Sequence, residues 1–454
     1  MKSFDLSTVE PFEIASRRPP TENDSLCFRV TRNCYWNKCK FCLLNMTGAG
    51  FSRRSLEEVK ADISKAKVID DLLRDYGLGV PYYSHNDYQR VMPLIEDIRR
   101  AKEVSKAAEV DSEDTVSQGA DQGSEKTTTP DANQRSENTV SSDADARKEW
   151  FNSWFKDKPL LEDSIYHLLS WRIGGGKTCF IGDADSLILQ PDFLHEVMDH
   201  IKSNFPSLNR FTIYGRTGTA AKIRSLDELK EFSRAGINRV HFGLESGSDR
   251  VLSLVSKGVT AAQHIEGCLK VKEAGLSCSI YIMPGLGGSE LSQENAVETA
   301  RVVNEIEPDF VRIRTLSIFP STPLEAMKLA GTFQEASEEE VVLELKTLIE
   351  NIHCRTELLS DSAANLLGIF GTLPQDREVM LRNINAYLSL SPREKLEFSL
   401  SARIRSFMSQ YGSLSEDIYD NLRQYISNNA LDCSKMSDQN ITTSINLVRS
   451  KLMP

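Results

Sequence analysis

Cys34, Cys39 and Cys42 stand within nine residues, in Arg32-Asn33-Cys34-Tyr35-Trp36-Asn37-Lys38-Cys39-Lys40-Phe41-Cys42, with no histidine near them. Three thiolates can hold three corners of an iron-sulfur cube and leave one iron open to an exogenous ligand. A structural zinc site, or a closed four-cysteine electron-transfer cluster, needs a fourth protein ligand. The nearby candidate is Cys27, in Leu26-Cys27-Phe28-Arg29-Val30-Thr31. That run alternates as a half-buried strand does, which makes Cys27 a small apolar residue inside a sheet. A cluster with an open corner and one closed by Cys27 both stand at this point. Chain length and the lack of a secretory leader argue against a disulfide framework.

The elements that must position these cysteines follow from the rest of the chain. Its 454 residues allow two to three domains. No apolar run approaches the roughly 18 residues of a membrane span, so the expectation is a cytoplasmic protein with no membrane partner. The net charge of -11 is concentrated in one stretch: residues 107–146 hold ten acidic and two basic residues, a local balance of -8 that leaves about -3 elsewhere. The nearly neutral remainder makes a nucleic-acid partner unlikely on charge grounds without excluding a local basic patch. The stretch is also poor in large apolar residues, and a disordered insertion is expected at about 105–147.

Six short runs rich in β-formers recur: Leu26 to Thr31, Thr178 to Gly182, Arg210 to Tyr214, Arg239 to Gly243, Ser277 to Met283 and Phe310 to Ile318. Amphipathic helix-length segments separate most of them, and capping-box pairs mark helix starts at Ser55 with Glu58, Ser225 with Glu228 and Thr260 with Gln263. This alternation predicts an α/β protein, a partial (β/α)6 TIM-like barrel of parallel strands. Helices are predicted from Ser55 to about Tyr76, from Tyr88 to Val104 and from Arg147 to Trp171, where Trp150, Phe151, Trp154 and Phe155 make a packing face. After Pro323 the pattern turns helical, as in Glu338 to Ile352 and Arg377 to Tyr387. The expected division is an N-terminal extension at 1–25, a core at 26–323 and a mainly α-helical C-terminal domain at 324–454.

Ligands of parallel sheets bind at the carboxyl ends of strands, so the exits carry functional weight. The first leads into the cysteines. The others are Gly182-Asp183-Ala184-Asp185-Ser186, Tyr214-Gly215-Arg216-Thr217-Gly218-Thr219, Gly243-Leu244-Glu245-Ser246-Gly247-Ser248-Asp249 and Met283-Pro284-Gly285-Leu286-Gly287-Gly288. Small residues there let backbone approach a ligand, and carboxylates can meet an ammonium group. Each exit alone is also an ordinary turn or cap; Ser248, for instance, is a predicted N-cap. Five in succession, with a metal-ligand cluster on the first, point to one cofactor site.

In their order, these motifs resemble the radical S-adenosylmethionine (SAM) enzymes, from about Leu26 to Pro323 without the insertion. The resemblance implies a [4Fe-4S] cluster on Cys34, Cys39 and Cys42, with SAM as the second cofactor. It implies Phe41 near the adenine, Gly182, Asp183 and Asp185 at the SAM amino group, Arg216, Glu245 and Lys257 on the ribose and carboxylate side, and Tyr214 among the cofactor-binding residues. Gly285, in Ile282 to Gly288, falls where the family's backbone meets adenine. Two departures stand out: four residues separate Cys34 from Cys39 where three are common, and Asp-Ala-Asp replaces Gly-Gly-Glu. The C-terminal Ser360-Asp361-Ser362 and Leu373-Pro374-Gln375-Asp376-Arg377 resemble a helical extension found in one branch.

The implied activity is reductive cleavage of SAM to a 5′-deoxyadenosyl radical that abstracts hydrogen from an unidentified substrate. A one-electron donor such as a flavodoxin or ferredoxin is the expected partner. Cys179, Cys268, Cys278, Cys354 and Cys433 are too scattered for an auxiliary cluster, and the 33 residues before Cys34 are too few for a cobalamin domain. The alternatives are an electron carrier or sensor closed by Cys27, and an RNA-modifying radical enzyme.

Overall fold

The computed structural model describes residues 4–15, 19–43, 50–81, 86–116, 159–427 and 430–452, without the side chains of 108–116, 427 and 430. Its centre is a sheet of eight strands in sequential order. These are β1 (Leu26–Arg29), β2 (Thr178–Gly182), β3 (Arg210–Gly215), β4 (Arg239–Glu245), β5 (Ser277–Ile282), β6 (Phe310–Ile313), β7 (Thr356–Leu359) and β8 (Phe370–Leu373). Every neighbouring pair from β1 to β7 is parallel, and β8 returns antiparallel on β7. The six anticipated strands are all present, and no pairing among the described residues closes the sheet into a ring.

The chain divides into two compact units, residues 1–14 with 60–176 and residues 15–59 with 177–454. The first is helical. It takes most of α1 (Leu56–Asp75), together with α2 (Asp87–Val116) and α3 (Leu161–Ile173). Val91, Leu94, Ile95 and Ile98 on α2, and Ile165, Leu168 and Leu169 on α3, are buried at helical spacing. Arg172 closes on Asp70 at 2.6 Å. Helix α2 runs on to Val116, into the stretch expected as an insertion; 117–147 and the aromatic group at 150–155 lie outside the described residues.

The second unit holds the sheet. Crossover helices α4 (Pro191–Asn204), α5 (Thr217–Lys222), α6 (Leu226–Ala235), α7 (Asp249–Leu254), α8 (Ala261–Glu273) and α9 (Ser292–Ile306) follow the strands in turn. Both predicted boxes form here, Ser225 with Glu228 at the start of α6 and Thr260 with Gln263 at the start of α8. Ser55 and Glu58 exchange the same two bonds before α1. Val240, Phe242, Ile280, Val311 and Ile313 are fully buried at alternate strand positions. Phe28 meets Phe205 at the end of α4, and Phe211 lies under Lys202 of α4, which marks the helix-covered face of the sheet.

Beyond Pro323 come α10 (Pro323–Leu329), α11 (Glu338–Asn351), α12 (Arg377–Leu388), α13 (Pro392–Tyr411), α14 (Glu416–Leu422) and α15 (Asp438–Arg449). The expected mainly α-helical C-terminal domain at 324–454 needs one amendment, because β7 and β8 lie within it and extend the same sheet. Both strands are four residues long, too short for alternation to register as a period. Backbone pairing with β6 decides their form. Among the described residues no helix is long and apolar enough to cross a membrane.

Gly247, just past β4, shows how tightly the exits pack. A Cβ there would sit 2.2 Å from the Glu298 carbonyl oxygen of α9, and the Gly247 amide donates to Thr299 Oγ1 at 2.9 Å. Gly247→Ala is expected to lower the urea midpoint with an unchanged m-value, corresponding to a loss of about 1–3 kcal/mol.

Candidate functional site

The cysteine loop leaves β1 at the carboxyl edge of the sheet and is held by three independent ties. Asp183, at the end of β2, is fully buried; its Oδ2 accepts from Arg29 Nη2 at 3.0 Å and from the Asn33 amide at 3.3 Å. Asn33 is left-handed, with φ 62°, a conformation asparagine tolerates better than most residues. Farther along, the Trp36 indole donates to Ser256 O at 2.9 Å, and the Lys40 amide donates to Val255 O at 2.9 Å. A short turn then brings the Cys42 amide to Cys39 O at 3.0 Å.

Two cations face the thiols. The Arg216 guanidinium lies 5.6 Å from the Tyr35 ring and 5.3 Å from that of Trp36, and donates to Lys257 O at 2.9 Å. Burial works to lower its pKa, but the nearby Cys34 and Cys39 reverse the sign and leave it above its ordinary value. Burial likewise pushes the Cys39 thiol up, against Lys257 and Arg216, which favour its thiolate. Lys257 pairs with Glu245 at 3.0 Å and sits 5.9 Å from the Phe41 ring. Glu245 occupies a bulge at the end of β4 with φ 69°, which turns its carboxylate onto Lys257.

Of the residues predicted from the sequence, Cys34, Cys39, Phe41, Arg216, Glu245 and Lys257 are thus brought together with Cys42. Asp185 adjoins them, accepting from the Arg216 amide at 3.1 Å and from Thr219 Oγ1 at 2.5 Å. Burial raises its pKa to about 6 in spite of these bonds. Gly182 has no room for a side chain, since a Cβ would lie 2.7 Å from that of Ala15. The Gly285 amide is engaged, donating to Glu344 at 3.1 Å. Tyr214 stands apart, its ring against Phe180, His241 and Tyr281 on the other face of the sheet from the crossover helices.

Several contributors escaped the sequence reading. Tyr281 is the register partner of Gly243 and Arg312 that of Tyr281, so they share a face with His241 and Tyr214. The signal was present in Arg239-Val240-His241-Phe242-Gly243 and Ser279-Ile280-Tyr281-Ile282, where polar and apolar residues alternate. A parallel strand buried on two apolar faces reads as a continuous hydrophobic run instead. Alternation therefore marks an inner face built for polar contact.

Cysteine thiols on one loop with cations beside them are the donor type an iron-sulfur cube takes, one thiolate to each of three irons. Cys27 lies toward the other end of β1, fully buried, with its thiol donating to Ser25 O at 3.3 Å. Ser25 in turn meets Thr178, the first residue of β2, at 2.7 Å.

Residues 145–300 match the model of the Radical SAM superfamily. This chain carries a radical SAM domain. The match covers about a third of the residues, taking in β2 to β5 and their exits but not the cysteine loop. Proteins of this superfamily are enzymes that use a [4Fe-4S] cluster and SAM. The chain is 28% identical over 116 residues to the tRNA uridine(34) acetyltransferase of Methanocaldococcus infernus (strain DSM 11812 / JCM 15783 / ME), covering 25% of this chain and 22% of that protein. It is 31% identical over 135 residues to the biotin synthase of Hydrogenobaculum sp. (strain Y04AAS1), covering 30% and 38%. The chain thus spans well under half the length of these curated relatives. The structure of the archaeal Methanocaldococcus infernus Elp3 with an N-terminal deletion aligns over 49% of this chain and 57% of that one, with 19% identity and a TM-score of 0.37.

Two outcomes test this geometry. At Gly258, φ is 71° and a Cβ would lie 2.0 Å from the Trp36 ring. Gly258→Ala is expected to cost about 1–3 kcal/mol in urea unfolding and to lower the iron bound per chain on reconstitution. Glu344 on α11 accepts from Gly285, Ser292 and Asn295, but burial outweighs these bonds and raises its pKa from 4.5 to about 7. The stability it contributes is complete below pH 4.5 and is lost as pH rises through 7. Glu344→Gln removes that slope, so across this range the variant is expected to gain about 1–3 kcal/mol on the wild type in urea unfolding.

Proposed function

We propose that the chain is a radical SAM enzyme whose cluster is held by Cys34, Cys39 and Cys42 and whose substrate gives up a hydrogen atom. The observation that supports this reading is the cysteine loop at the carboxyl edge of the sheet, with Cys34 and Cys39 beside Arg216 and Cys39 beside Lys257, while Cys27 lies toward the opposite end of β1. When bound, the cofactor pair supplies reductive cleavage of SAM to methionine and a 5′-deoxyadenosyl radical.

The chain's own residues bind, orient and shield. Asp183, through Arg29 and Asn33, fixes the base of the cysteine loop. Arg216 and Lys257 offset the negative charge of the thiolates and of a SAM carboxylate, while Glu245 and Asp185 offer acceptors for an ammonium and for hydroxyls. Phe41 gives an apolar wall next to Lys257. Gly182 admits the close packing of Ala15 at the base of the site, and Gly243 leaves room for the Glu245–Lys257 pair, where a Cβ would lie 2.3 Å from Glu245 Oε1. Burial of these groups keeps water from a reactive species. A reducing cytoplasmic setting and a one-electron donor of the flavodoxin or ferredoxin kind complete the proposal, as does a core at 26–323 followed by a C-terminal part.

A second reading, an RNA substrate, is favoured by the similarity to tRNA uridine(34) acetyltransferases, which extends over about a fifth of their length. RNA binding that weakens steeply with salt would support it.

The decisive measurement is anaerobic reconstitution with iron and sulfide, reduction with dithionite and assay for 5′-deoxyadenosine. Wild type and Cys27→Ala should both form it, and Cys34→Ala, Cys39→Ala and Cys42→Ala should each lose at least about a hundredfold. A fully loaded cluster that leaves SAM intact, or one that Cys27→Ala destroys, would refute the proposal.

A further inference from the structure

The inner face of the sheet is polar where a packed barrel core would be apolar. Interior layers of complete barrels are dominated by Val, Ile and Leu. Here the successive inward positions on β3 to β6 are Arg210, Thr212 and Tyr214, then Arg239, His241 and Gly243, then Ser277, Ser279 and Tyr281, then Phe310 and Arg312, with Phe310 the one large hydrocarbon side chain among them. The Tyr214, His241 and Tyr281 ring centroids lie 5.9 to 6.4 Å from one another, and the Arg312 guanidinium lies 6.0 Å from the Tyr281 ring. This layer continues directly into the cofactor site, because Gly243, the register partner of Tyr281, faces the Glu245–Lys257 pair.

Two features indicate what belongs there. First, buried hydrogen-bonding groups are left without protein partners: both ring nitrogens of His241, the Tyr281 hydroxyl, Oδ1 of Asp361 and Nε of Arg314. His241 is fully buried, and its nearest carboxylate oxygen, on Glu22, is 3.8 Å away, too long for a hydrogen bond. Buried polar groups are otherwise nearly always paired, so such a set calls for a guest that pairs them. Second, the charges do not balance. Arg312 is 1% exposed and spends Nη1 on Asp361 at 2.5 Å and Nε on Ser279 at 3.3 Å. Arg314 acts on the same Asp361, leaving two guanidiniums to one carboxylate. At the other end of the strands the charges are closer to balance, since Arg210 pairs with Glu22 and Arg239 has both Glu22 and Asp309 nearby. His241, its pKa depressed to about 4 chiefly by burial, adds hydrogen-bonding capacity without charge near neutrality.

We propose that this inner face binds the substrate and that the substrate is a small polar molecule bearing an oxyanion, a carboxylate or a phosphate, taken by Arg312 and Arg314. Tyr281 and His241 hydrogen-bond its neutral groups. The inference rests on the radical SAM reading above and gives it a substrate class. Burial of Arg312, His241 and Tyr281 restricts the guest to something that enters from the carboxyl edge, past Gly243. An unreactive hydrocarbon chain would leave every one of the unpaired groups bare.

The test uses the anaerobic, cluster-loaded protein with saturating SAM, so that SAM's own carboxylate is already accommodated. Succinate and inorganic phosphate are titrated separately at constant ionic strength, with choline chloride as the cationic control, and the thermal midpoint is followed. A saturable rise with succinate alone assigns a carboxylate, with phosphate alone a phosphate, and with both the shared oxyanion chemistry. Arg312→Gln breaks a buried ion pair and risks misfolding, so Tyr281→Phe and Arg314→Gln carry the comparison; each should weaken the saturable binding about tenfold. No saturable rise with either anion, or equal binding in wild type and both variants, overturns the inference. SAM-induced change in the electron paramagnetic resonance spectrum of the reduced cluster is recorded on the same samples. If that change is absent, the radical SAM reading itself fails; if it is present without anion binding, only the substrate class fails.

Discussion

Parallel pairing is the constraint on which the site depends. Once β1 to β7 run side by side in one direction, every crossover must return on the outside, and every strand delivers its C-terminal residue to the same edge. Loops separated by more than a hundred positions in the chain then become neighbours. Asp183 reaches Arg29 and Asn33 across 154 and 150 residues, and Arg216 reaches Lys257 across 41. The cysteine loop has little regular structure of its own. It takes its shape from the partners that this edge supplies.

The same edge concentrates buried charge, and the pairing there is more complete than on the inner face. Glu245 has Lys257, Asp183 has Arg29, and Asp185 is solvated by the Arg216 amide and Thr219. A buried ion pair contributes little net stability, because desolvation takes back most of the attraction. Its worth here is positional: each pair ties two exits together at a fixed angle. Glu344 does this from outside the barrel strands, joining the loop after β5 to α9 and α11 through three acceptor bonds. The C-terminal segment is accordingly part of the frame around the cofactor loops, and β7 adds a parallel strand to it.

Much of this architecture is local and was therefore legible in the chain. The six long runs appear as β1 to β6, the capping boxes at Ser55, Ser225 and Thr260 form, and Glu338 and Arg377 begin helices as their patterns predict. What escaped were features that no local period carries. β7 and β8 are four residues each and exist as strands because β6 offers an edge. The inner-face set of His241, Tyr281 and Arg312 is assembled by register across three strands, which the alternation visible within β4 and β5 does not specify.

The sequence by itself determined the chemistry available: three closely spaced thiols, a chain of strand exits rich in glycine and carboxylate, and helices whose boundaries are written in their caps. These depend on spacing of a few residues, which a linear chain specifies directly. The tertiary structure alone decided which groups are spent and which are free. Asp183 and the Gly285 amide are engaged by the protein's own frame, whereas the His241 ring nitrogens and the Tyr281 hydroxyl are buried without a hydrogen bond. Pairing of that kind is settled by register and burial across distant strands, and neither is encoded in any short stretch of residues.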